Sequence, residues 1–143
     1  MMLISMLLIL TFLFLSGLHV YWAFGGKWGS EAVLPTKNEN INVIMPGVFI
    51  TLLVAFGLLS FAGIILLNET FLNIKIPFWL DFIKKNGLWL IAGIFTLRAI
   101  GDFKYVGFFK KIKLTKFGQN DTKYYSPLCL VIGVLTLILV LKK

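Results

Sequence analysis

Apolar positions fill residues 1–24 and 43–67 almost without interruption, with neither the alternation of a strand nor the polar stripe of a soluble helix. A helix that is apolar all round belongs in a membrane or a large core. About 20 such residues, each rising about 1.5 Å, cross the roughly 30 Å of hydrocarbon. Both runs predict spans. A third run, about 84–107, is broken by Arg98, Asp102 and Lys104, and a fourth, about 125–141, is apolar and slightly short. The pattern predicts an all-α fold: a four-helix transmembrane bundle, up-down-up-down, forming a single integral membrane domain over residues 1–143. Between the runs, 25–42 reads as a loop, and 68–85, with Pro77, Phe78, Trp79 and Asp81, suits a short interfacial turn of helix. Residues 103–117 interleave Phe108, Phe109, Ile112 and Leu114 with lysines, giving the third loop a basic amphipathic segment suited to an anionic surface.

Composition agrees. With 59% hydrophobic residues, 14% charged residues and mean hydropathy +0.92, the chain departs from soluble averages in both directions, and disorder is excluded. The first run lacks a basic start and a small-residue cleavage site before Gly25, so it reads as a span rather than a signal peptide. Cys129 is the single cysteine, which rules out an intrachain disulfide and a cysteine-rich metal site. A net charge of +8 in a soluble protein would suggest nucleic acid, but here the lysine positions decide. Loops one and three, with Arg98, hold nine basic residues, and the second loop and C-terminus hold five. Basic loops stay cytoplasmic. A multi-pass protein of the cell membrane is expected, with loops one and three inside and both termini outside. Its partners are then the bilayer and anionic headgroups near Lys110, Lys111 and Lys113, not nucleic acid.

In this topology one end of the bundle gathers the unusual residues. Helix one brings Ser16, His19 and Trp22 along one face; loop one brings Trp28 and Glu31; helix three brings Arg98, Asp102 and Tyr105; the approach to helix four brings Asp121 and Tyr125. Arg98 is the most informative. If its helix begins near Gly87 it lies close to the midplane and must be paired, with Asp102 at i, i+4 the evident partner. If the helix begins near Phe78, Arg98 reaches the interface and snorkels. The bland reading stands beside these: a charge pair that staples a helix end, a hydrogen-bonded interfacial histidine, and an aromatic belt.

The runs from His19 through Trp22 to Trp28-Gly, from Arg98 through Gly101-Asp102 and Tyr105 to Phe109, and from Asp121 through Tyr125 and Pro127 to Cys129 resemble an uncharacterised family of small bacterial membrane proteins. The resemblance implies a four-helix integral membrane protein and lends no activity.

Three functions fit the residues. One is binding or transport of a small polar ligand or lipid headgroup at a cytoplasmic-side cavity lined by His19, Trp22, Trp28, Glu31, Arg98, Asp102, Tyr105, Asp121 and Tyr125. Another is a membrane-embedded lipid-modifying enzyme using His19 or a carboxylate as acid and base, although no nucleophile, cofactor or metal fingerprint is present. The third is an accessory protein that grips another membrane protein through Gly47, Ala55, Ala62 and Gly63 on helix two.

Overall fold

The computed structural model describes residues 1–35, 46–69 and 77–142, apart from the side chain of Glu31. Four long helices account for most of it: α1 (Met2–Ala23), α3 (Val48–Asn68), α4 (Phe78–Ile100) and α6 (Ser126–Leu141). A short α2 (Ser30–Val33) follows α1, and α5 (Lys116–Asn120) runs through a π-turn (Asp121–Tyr125) into α6. No strand occurs among the described residues. Three helical stretches are long and apolar enough to cross a membrane: Met2–Ala23, Val48–Asn68 and the continuous Lys116–Leu141. Their outward faces carry Leu3, Leu10, Phe14, Phe49 and Phe56, each about two-thirds or more exposed, an apolar surface far larger than a soluble protein tolerates.

The helices pack as two hairpins, α1 on α3 and α4 on α6, joined mainly where α3 meets α4. Small residues set the first contact. Ala55 and Ala62 are buried against α1, and the Ser16 hydroxyl donates to the Ala55 carbonyl oxygen at 2.8 Å. Of the small residues on this helix, Ala55 and Ala62 are used inside the bundle, while a Cβ on Gly47 or Gly63 would meet nothing within 4 Å. In the second hairpin Gly133 lets α4 approach closely, since a Cβ there would sit 2.8 Å from the Thr96 Oγ1. Phe12, Phe61 and Phe95 meet at centroid distances of 5.4–6.1 Å and tie α1, α3 and α4 together at mid-bundle.

The third helix differs from its expected bounds. It begins at Phe78, so residues 78–85 of the stretch read as a separate interfacial turn are its first two turns, residues 70–76 of that stretch lie outside the described residues, and it stops at Ile100. Pro77 supplies a start, because its missing N–H is one the first turn does not need. Asp81, Lys84 and Lys85 are tolerated on that turn, with Lys85 and Asp81 paired at 2.9 Å. Gly101, at φ +89°, ends the helix. α4 thus carries charge near both ends and a shorter apolar middle than the other three.

Candidate functional site

Loops one and three meet at the same end of the bundle, where α2 packs on α5. The residues singled out in the sequence gather there, but in two separate places.

The first is a buried ionic cluster built on the π-turn. Pro127 cannot donate to the carbonyl four residues back, and just before it the helix widens into the π-turn that faces Asp121 and Ser126 inward. Asp121 is wholly buried. Its Oδ1 accepts from the Arg98 guanidinium at 3.0 Å. Its Oδ2 accepts from the Gly107 N–H at 2.8 Å, the Lys110 ammonium at 2.9 Å and the Ser126 hydroxyl at 3.0 Å. Lys110, only 2% exposed, spends its other two protons on the Gly107 carbonyl oxygen at 2.9 Å and the Thr122 hydroxyl at 2.7 Å. A buried carboxylate with four donors and a buried ammonium with three acceptors are satisfied, which is what burial of charge requires. The cluster clamps the third loop onto α4 and α6.

Two expectations are corrected here. Arg98 pairs with Asp121, not Asp102; of the two helix starts weighed, the one near Phe78 is found, which puts Arg98 in the last turn of α4, roughly 30 Å along the axis from Phe78. Its partly exposed side chain does not snorkel freely, because Asp121 holds it. Lys110, assigned to lipid headgroups, is inside the protein; Lys111 and Lys113 remain exposed.

Asp102 has another role. Since α4 ends at Gly101, no i, i+4 helical pair exists, and Asp102 Oδ1 instead accepts the N–H groups of Lys104, Tyr105 and Val106 at 2.9, 2.7 and 2.9 Å. These donors, Val106 foremost, hold its carboxyl below the usual 3.8. A group whose folded value is lowered stabilises above its unfolded value, and the stabilisation vanishes as pH falls through the folded value. Hydrogen-exchange protection of the 104–106 amides, corrected for intrinsic rates, is expected to be flat from neutral pH to about pH 4. It then falls, and Asp102→Ala, which removes the acceptor, lowers it roughly fivefold at neutral pH, the usual weight of a lost cap.

The second place is a cleft of about 160 Å³ between α1, α2 and the start of α3. Its apolar walls are Trp22, Val33, Leu34, Pro46, Ile50 and Val54, and its polar groups are His19 and Thr51. The His19 Nδ1–H donates to the Leu15 carbonyl oxygen at 2.7 Å. A carbonyl only accepts, so the neutral ring keeps Nε2 as its acceptor. The Trp22 ring lies edge-on to His19 at 5.2 Å, and its Nε1–H donates to the Trp28 carbonyl oxygen at 2.8 Å.

Of the residues grouped from the sequence, His19 and Trp22 line this cleft, whereas Arg98, Asp102, Tyr105, Asp121 and Tyr125 do not. Trp28 contributes its backbone while its ring is exposed; Tyr105 lies 5.2 Å beneath the Lys104 ammonium; Tyr125 rests near Phe117 at 6.1 Å. The side chain of Glu31 is outside the described residues. Gly107 and Thr122 in the cluster, and Ile50, Thr51 and Val54 in the cleft, carry no signal in the sequence, and Lys110 stands out there only as a surface cation. Pro127 was the one signal of the π-turn.

Residues 12–136 match the model of a family described as protein of unknown function (DUF3995). No curated protein and no solved structure matches the chain.

Proposed function

We propose a role on the premise that this chain belongs to the DUF3995 family of proteins of unknown function: a multi-pass membrane protein that binds the end of a lipid-like amphiphile in the α1–α3 cleft. In this reading α4, charged near both ends and antiparallel to α6, crosses beside the three more apolar helices. The observation that carries the proposal is the make-up of the cleft, six apolar walls around one imidazole and one hydroxyl. A small polar or ionic ligand would lose its hydration there with two partners in return, and the charged residues that would have bound it are engaged elsewhere. An apolar cavity of about 150 Å³ accommodates a benzene-sized group. The fitting ligand presents one ring or a short branched chain carrying a single oxygen, which His19 or Thr51 meets. Among the described residues no carboxylate lines the cleft, which favours binding over acid–base chemistry.

A photoactivatable farnesol analogue tests this with detergent-purified protein. Labelling is expected at Ile50 and its neighbours, competed by farnesol but not by glycerol 3-phosphate, and reduced at least fivefold by Val54→Trp, which fills the cleft. Labelling spread over lipid-facing residues such as Leu10 and Phe56, unchanged by Val54→Trp, would overturn the proposal.

A further inference from the structure

The third loop is an ordered platform whose outward side is both apolar and basic. Its backbone is held from within by Asp102, by the Lys110–Asp121 pair, and by the Thr115 hydroxyl, which accepts the Gly118 N–H at 3.1 Å. Phe103 is forced to φ +62°, a conformation that a bulky side chain adopts only under such restraint. What the platform presents is Phe103, Phe109 and Leu114 at 58, 64 and 85% exposure, with the two phenyl rings 6.3 Å apart. Lys104, Lys111 and Lys113 are exposed between them. The sole acid in this stretch, Asp102, faces three backbone donors, so it offsets the lysines only in part.

Apolar prongs fixed among cations at the end of a membrane bundle match one surface: acyl chains beneath anionic headgroups. We propose that this loop docks on the bilayer it adjoins, seating Phe103, Phe109 and Leu114 at the acyl boundary and recruiting anionic lipids to Lys104, Lys111 and Lys113. The burial of Lys110 is what gives the surface its shape, since the cation in the middle of the lysine run turns inward and fixes the backbone on either side. This surface is distinct from the cleft, and the proposal does not depend on cleft binding.

The test uses the full chain in vesicles of phosphatidylcholine with one-fifth phosphatidylglycerol. Spin-labelled phosphatidylglycerol is expected to associate with the protein severalfold more strongly than spin-labelled phosphatidylcholine. Each exposed lysine contributes up to about fivefold. Lys111→Gln with Lys113→Gln, or 0.5 M salt, should bring the two lipids close to parity. In parallel, a nitrobenzoxadiazole probe at Phe109→Cys in a Cys129→Ser background should be quenched by shallow nitroxide lipids and shielded from iodide. Equal lipid association in the wild type, or a preference that survives both lysine substitutions, overturns the proposal. So does an iodide-accessible probe in vesicles, and one shielded only in native membranes would show that a protein, not lipid, covers the loop.

Discussion

Asp121→Asn is expected to cost about 3–5 kcal/mol, the usual penalty when a buried ion pair loses one partner. The carboxylate is wholly buried and is the shared acceptor of Arg98, Lys110, Ser126 and the Gly107 amide. An amide in its place leaves the Lys110 ammonium inside the protein with no counter-charge. Thermal or denaturant unfolding in detergent measures the loss directly. Lys110→Met added to Asp121→Asn removes the stranded cation and is expected to restore a large part of the stability, since a buried pair replaced as a unit is often close to neutral. Near wild-type melting of the single variant would mean that the cluster does not hold the loop.

Gly107→Ala has the next largest expected effect. Gly107 has φ +89°, and an added Cβ would collide with the Ile100 carbonyl and the Gly101 Cα; Gly101 likewise abuts the Val106 carbonyl. The two glycines let the chain fold back so that the Phe108 N–H donates to the Ala99 carbonyl oxygen at 2.9 Å and Gly107 delivers its amide to Asp121. Left-handed strain and the collision together put the expected loss at about 3 kcal/mol or more. Gly57→Ala on α3, where nothing lies within 4 Å, is the control, with an expected gain of up to about 1 kcal/mol from helix propensity. Equal melting temperatures for the two variants would refute the tight turn.

The same turn explains what the sequence revealed and what it concealed. Helices that are apolar on all sides announce themselves, and their alternation places His19, Arg98 and Asp121 at one end of the bundle, as found. Pairing within that end is another matter. The choice of Asp102 for Arg98 assumed that the helix continues past residue 100. Gly101 directly before Asp102 is a common helix-ending signal, and it decides the matter for Asp121, 23 residues from Arg98. Nothing local distinguishes Lys110 from Lys111 or Lys113; only the fold places one ammonium beside a buried carboxylate. The cleft was invisible because most of its walls come from α1 and α3, whose apolar runs membrane residence alone would explain.

Sidedness tests the four-crossing account most directly. Single cysteines at Lys27, Lys85 and Lys113 in a Cys129→Ser background, probed with a membrane-impermeant maleimide on intact cells and on broken ones, report which face each position occupies. The account predicts that 27 and 113 react together and that 85, at the far end of α4, reacts from the other face. Labelling of 85 and 113 from one face, or of 27 and 113 from opposite faces, would contradict it.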